Sequence, residues 1–157
     1  MKDMAYFWIS KNNLMKPMMN LTLLFLFWCT ACSKSEFIME ARNQEKTWNE
    51  KNISNYSYTL WVNCYCPTER VGPHLIKVIN NKIVTVNGQP YNPQVTGPLP
   101  TITELFEIIR LKLSQKPYQQ KIAYHPELGY PNNVYFDMDQ RIADEEIGYI
   151  IENLVKE

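Results

Sequence analysis

Tyr56-Ser57-Tyr58-Thr59-Leu60-Trp61-Val62-Asn63-Cys64-Tyr65-Cys66 decides the fold. Tyr56, Tyr58, Leu60, Val62, Cys64 and Cys66 fall on one face of an extended chain, while Ser57, Thr59, Asn63 and Tyr65 share the other with Trp61. Successive side chains of a strand point to opposite sides, so this alternation predicts a long strand with one buried face. A strand of that kind needs partners beside it and a layer over its apolar side.

Both are legible outward from it. Downstream, Pro67–Pro73 reads as a loop, and His74–Ile79 and Lys82–Val86 are β-rich segments separated by Asn80-Asn81. Asparagine tolerates positive φ, so this pair suits the two-residue turn of a hairpin. Residues 87–100 hold two glycines and four prolines and read as a connector that is neither helix nor central strand. Thr101 with Glu104 three places on fits a capping box, and Ile102, Leu105, Phe106, Ile109 and Leu113 make one helical stripe ended by Pro117. Tyr118–Tyr124, Asn132–Met138 and Ile147–Leu154 are three further strands, separated by a turn at 125–131 and a charged loop at 139–146. Upstream, Phe37, Ile38, Ala41, Glu45 and Trp48 have helical spacing, predicting a helix to about Lys51. The expected product is α+β: helix, three strands, helix, three strands, with an antiparallel sheet packed against the helices. The two halves have the look of a degenerate structural duplication, although their residues do not repeat.

The N-terminal stretch belongs to another class. Leu21–Trp28 is an apolar run far shorter than the roughly 20 residues of a spanning helix. Lys16 precedes it, and Cys29-Thr30-Ala31-Cys32 follows with small residues before the last cysteine. The pattern resembles a lipobox, with Cys29 where leucine is usual, and makes Cys32 the expected lipidation site. Residues 1–31 are then a lipoprotein signal peptide, with Met15 as an alternative start and 1–14 as surplus. Residues 32–36 form a lipidated tether, and 37–157 a single domain. Several acyl chains on Cys32, each adding about 0.8 kcal/mol per buried CH₂, would hold the protein to a membrane without a spanning helix. Ser33 carries no retention charge, which favours the periplasmic face of an outer membrane. In an organism with one membrane, the same signal places the domain on its outer surface.

Composition excludes some partners. The full chain balances 16 basic against 16 acidic residues. Removing Lys2, Lys11, Lys16 and Asp3 with the leader leaves 13 against 15, so there is no basic surplus to attract nucleic acid. Five glycines and no G-x-S-x-G or phosphate-loop pattern leave neither a nucleotide cradle nor a nucleophile elbow. No cofactor and no catalytic residue is expected.

Two constellations remain. Cys64 and Cys66, two apart, lie roughly 6.5 Å from each other in a straight strand, near the limit for bridging. Three possibilities stay open: a structural disulfide helped by a kink at Pro67, a pair of buried free thiols, or a redox or metal pair. His74 and His125 lack ligand spacing with the thiols, and His125, just before Pro126, reads as a turn residue. The second constellation is Asp137 and Asp139 with Asp144-Glu145-Glu146, spaced like the start of a calcium loop. Arg141 and Ile142 stand where such a loop needs a ligand and a glycine, so a solvated acidic turn is the better account, ahead of calcium or an acid–base pair for hydrolysis. No metal is expected.

Tyr124-His125-Pro126-Glu127-Leu128-Gly129-Tyr130-Pro131, followed by Asp137 and Asp144-Glu145-Glu146, resembles an uncharacterised bacterial lipoprotein family, the domain of unknown function 6174. The Tyr-rich strand ending in Cys64 and Cys66, the hairpin within Ile76–Val86 and the helix bearing Leu105 and Phe106 are shared features of that family. The resemblance runs over roughly Trp48–Asn153. His125 replaces an aspartate of the family pattern, and Asn81 a glycine. The resemblance implies an exported, lipid-anchored domain. It also implies that the Cys64–Cys66 pair and the Gly129-Tyr130-Pro131 corner belong to a shared architecture. It implies no activity. The expected function is therefore a non-enzymatic interaction or accessory module of the cell envelope, with an envelope protein as a candidate partner. A thiol–disulfide protein acting through Cys64 and Cys66, or a small-ligand carrier, is the alternative. Oligomeric state is left open.

Overall fold

The computed structural model describes residues 32–157; the signal peptide read at 1–31 lies outside them. Helix α1 runs over Cys32–Glu50. The segment 32–36, expected as a tether, is therefore helical. The helix stops at a left-handed Asn52, after Lys51 and Asn52 donate backbone bonds to Trp48 and Asn49, an arrangement that uses orphan carbonyls of the last turn.

Strand β1 (Tyr56–Cys64) buries Tyr56, Tyr58, Leu60 and Val62 and leaves the alternate residues half-buried or exposed. It ends two residues before the expected Cys66. A four-residue helix α2 (Thr68–Val71) follows where a plain loop was expected, then β2 (His74–Ile79) and β3 (Lys82–Val86). Asn80 and Asn81 carry φ of 50° and 59°, the paired positive values of a type I′ turn.

The connector at 87–100 has more structure than its glycines and prolines suggested. Asn87 and Gly88, at φ 52° and 76°, make a second tight turn into a two-residue edge strand β4 (Gln89–Pro90). Pro93–Thr96 forms one helical turn, α3, with Pro93 in its first turn and the Asn92 side chain accepting from Gln94 N–H. Proline at the start of a helix removes only a donor that would have no partner there.

Helix α4 (Ile102–Ser114) starts with the expected capping box between Thr101 and Glu104 and buries all five residues of its stripe. Strands β5 (Gln119–Tyr124), β6 (Pro131–Asp137) and β7 (Ile147–Lys156) complete the chain.

All strands join one antiparallel sheet of order β4-β3-β2-β1-β7-β6-β5. The α+β class and the helix–three strands–helix–three strands core hold, with β4 and the two short helices added. The halves meet through β1 and β7. The two triplets cross the sheet in the same order, β3-β2-β1 and β7-β6-β5, while the antiparallel join of β1 to β7 makes their corresponding strands run in opposite directions.

Both long helices cover the same face. Trp48 of α1 packs edge-on against Tyr56 at 5.5 Å and Tyr130 at 6.1 Å, and Phe106 of α4 stacks on Tyr124 at 6.2 Å. An ion pair between Glu45 and Arg110 ties α1 to α4. Large apolar side chains such as Phe106, Ile109 and Leu60 are fully buried here, each worth about 2 kcal/mol. Among the described residues the opposite face of the sheet has no such cover.

Candidate functional site

The uncovered face is assembled by register. Thr59 sits between Leu75 of β2 and Glu152 of β7, and Trp61 beside Ile150, which in turn pairs with Asn133. Asn63 pairs with Gly148, and Gly148 with Tyr135. Trp61 and Ile150 are 39% and 40% exposed, and Leu75 and Val155 more so. Solvated apolar side chains thus lie on this face of the sheet, interleaved with Thr59, Asn133 and Glu152.

At one end of β1, Cys64 and Cys66 are joined by a disulfide, their Cα atoms 5.3 Å apart. The chain leaves the straight path of β1 at Cys64, which brings the two closer than regular strand spacing would. Tyr65 between them is 81% exposed. Cys32, the expected lipidation site, opens α1.

The histidines have local duties. His74 is buried, and its Nε2 lies 3.0 Å from the Arg70 carbonyl oxygen. His125 sits in a turn, as expected. Its Nδ1 accepts from the backbone N–H of Glu127 at 3.3 Å and of Leu128 at 3.2 Å, and its ring stacks on Tyr130 at 4.9 Å. Among the described residues no three histidine, cysteine, aspartate or glutamate side chains converge to hold a metal ion.

The acidic cluster divides into two parts. Asp139 is clamped by Nε and Nη2 of Arg141 at 2.8 and 2.6 Å, and this pairing holds its carboxyl down at about 2. The Asp139 N–H donates to Glu145. Asp137, only 8% exposed, sits differently, since its Oδ1 has no hydrogen-bond partner. Desolvation, then repulsion from Glu146 and Glu145, pushes its carboxyl up. Tyr135 is raised as well, by desolvation and then by Asp137, Glu146 and Glu145. The calcium-loop pattern is thus spent on an internal Asp139–Arg141 clamp and a repelling trio of carboxylates.

Sequence reasoning singled out Cys64, Cys66 and the acidic run one by one. It missed that cross-strand pairing sets Trp61 beside Ile150, and Tyr135 beside Gly148 and close to Asp137, Glu145 and Glu146. Gly148, between Asn63 and Tyr135, gives no signal on its own, because a lone glycine in a strand has many uses.

Among the described residues no helix is long and apolar enough to cross a membrane. No curated protein and no solved structure matches the chain. A family model does match, over residues 40–156, nearly all of the folded part. The chain belongs to the family of unknown function DUF6174.

Proposed function

We propose that this protein is a lipid-anchored, non-enzymatic interaction module of the bacterial cell envelope. Cys32 holds it to the periplasmic face of a membrane, the outer one where there are two, and the uncovered face of its sheet meets an envelope protein. The observation that carries the contact is the exposed Trp61–Ile150 pair with Leu75 and Val155 on the same face. The anchor is supported by the apolar run at Leu21–Trp28 ending in small residues before Cys32. Against an enzyme stands the use of both histidines and of Asp139 inside the fold: His125 caps a turn, His74 binds a carbonyl, and Asp139 is paired with Arg141.

A photo-crosslinking amino acid at Leu75 or Val155, introduced into the full chain in its native cells, tests the contact. Both positions should yield an adduct to the same envelope protein, identified by mass spectrometry. Leu111, exposed on α4 away from this face, should not. Adducts no stronger at 75 and 155 than at 111 overturn the contact surface. For the anchor, Cys32→Ser should abolish incorporation of labelled fatty acid and release the protein from washed membranes. Unchanged labelling overturns it.

A further inference from the structure

The Cys64–Cys66 disulfide does little as a staple. It joins residues two apart. A crosslink stabilises a fold chiefly by closing a long loop of the unfolded chain, so a loop this short contributes least. The fold also holds both ends of the segment without it. On one side Cys64 is the last residue of β1 and pairs with Ile147 of β7. On the other the chain returns at once to β1, where a Cβ on the left-handed Gly72 would meet the Leu60 carbonyl oxygen at 2.7 Å. Between them the Arg70 N–H donates to the Pro67 carbonyl at 2.9 Å, and the Arg70 carbonyl oxygen lies 3.0 Å from His74 Nε2.

Coupling of this kind is reciprocal: a fold that gains little from a bond gives little back to it. The disulfide is therefore nearly as open to reduction as it is in the unfolded chain. Its two sulfurs differ in access. Cys64 packs against the core on the face that carries Leu60 and Val62. Cys66 lies past the end of the strand, half-buried, between the exposed Tyr65 and Pro67. A thiolate arriving from outside reaches Cys66, and Cys64 is the leaving group.

We infer that this disulfide is an exchange site that accepts electrons from a protein dithiol. One thiolate of the dithiol attacks Cys66 Sγ. The Cys64–Cys66 bond breaks, its electron pair leaves on Cys64 Sγ, and Cys64 takes up a proton. The second thiol of the partner gives up its proton, attacks the partner sulfur of the mixed disulfide and expels Cys66, which is protonated in turn. Two electrons and two protons pass to the chain, and the partner departs as a disulfide. A dithiol outruns a lone thiol here, because Cys64, held two residues away, recloses on Cys66 and ejects a lone thiol before a second one arrives. The exchange is stoichiometric, one disulfide per chain, and adds covalent chemistry to a non-enzymatic module. It holds whichever face of the sheet meets a partner.

The test starts from oxidised full-length protein in maltoside micelles, equilibrated with mixtures of reduced and oxidised glutathione. Alkylation at Cys64 and Cys66 is read by peptide mass. Half-reduction is expected at a glutathione ratio where a long-loop structural disulfide stays oxidised. The urea midpoint of the Cys64→Ser, Cys66→Ser double variant should match that of the oxidised parent within the scatter of a surface substitution. In the native cells, Cys64→Ser leaves Cys66 without its resolving thiol. It should trap a mixed disulfide with a protein whose linked cysteine has a second cysteine within bridging reach. Cys66→Ser should trap about tenfold less. A bond that stays oxidised in reduced glutathione, or a double variant that unfolds at clearly lower urea, is a structural staple and overturns the inference. So do adducts to glutathione alone, which leave no dithiol partner, and equal trapping by the two single variants, which removes Cys66 as the point of attack. The glutathione equilibrium needs no variant, so it decides the matter even where a serine form folds poorly. Its failure leaves the contact at Leu75 and Val155 standing, and loss of that contact leaves this exchange standing.

Discussion

The hydroxyl of Tyr56 accepts a hydrogen bond from the backbone N–H of Ile102, 3.1 Å away. Tyr58, next on the same face of β1, donates to the carbonyl of Pro100. The central strand is thereby fastened to the first turn of α4, whose leading N–H groups have no partner within the helix. Thr101 and Glu104 satisfy other groups of that turn. Two phenols that read in sequence merely as core aromatics therefore set where the helix begins on the sheet.

Tyr56→Phe should lower stability by about 1 kcal/mol, and Tyr58→Phe by about 1–2 kcal/mol because it strands a buried carbonyl. Urea unfolding measures both. Burial pushes the Tyr56 phenol up to about 12. A proton held more tightly in the fold contributes stability that is complete below pH 10 and declines as pH rises from about 10 to 12. Tyr56→Phe should flatten that alkaline decline. An unchanged slope would mean that the phenol is not buried as described.

Gly129 is confined from two directions. Its φ is +75°, and a Cβ there would lie 2.7 Å from the Gln44 carbonyl oxygen and 2.9 Å from Thr47 Cβ. The corner between β5 and β6 thus rests on the backbone of α1. Gly129→Ala should cost about 2–4 kcal/mol, combining the left-handed penalty with overpacking. A loss below about 0.5 kcal/mol, typical of surface substitutions, would mean that the corner does not touch α1.

Local pattern carried most of the architecture. The alternation from Tyr56 to Val62 and the stripe from Ile102 to Leu113 each describe one face of one element, and burial follows both residue by residue. The Asn80-Asn81 turn was equally legible, because positive φ at both positions is a demand on the residues themselves. What local pattern does not encode is which strand lies beside which. The pairing of β1 with β7 joins Val62 to Tyr149 across most of the domain, and only long-range packing selects it. The candidate site suffers most from this. Asp137 was visible as one acid among several, while its place beside Glu146 and its orphan oxygen arise from register and from the fold of the 138–146 loop. The short helix at Pro93–Thr96 is obscured for another reason, since a proline at the first helical position reads in sequence as a breaker.

His125 does the work of a turn carboxylate. Its Nδ1 accepts from the N–H groups of Glu127 and Leu128, as an aspartate side chain does in an Asx-turn. An aspartate at this position would offer the turn the same acceptor. His125→Asp should keep stability within about 0.5 kcal/mol, while His125→Ala should lose about 1–2 kcal/mol with both donors unpaired and the Tyr130 stack gone. Equal losses in the two variants would show that the ring stacking, and not the acceptor, is what the turn uses.

Asp137 and Asp139 should answer pH in opposite senses. Desolvation and the glutamates raise Asp137, so the fold favours its neutral form. Its contribution is full below the ordinary carboxylate range and is lost as pH rises through the raised value. Asp139 is lowered to about 2 by Arg141. Its contribution is full above the ordinary range, starting near 3.8, and is lost as pH falls toward 2. Asp137→Asn should therefore raise the melting temperature at pH 7, with the gain shrinking as pH falls to about 4. Asp139→Asn should lower it at pH 7 and cease to matter near pH 2. Melting curves of the two variants and the parent across that range give two lines of opposite slope. If Asp137→Asn instead lowers the melting temperature at neutral pH, the carboxylate already has a partner in the free protein.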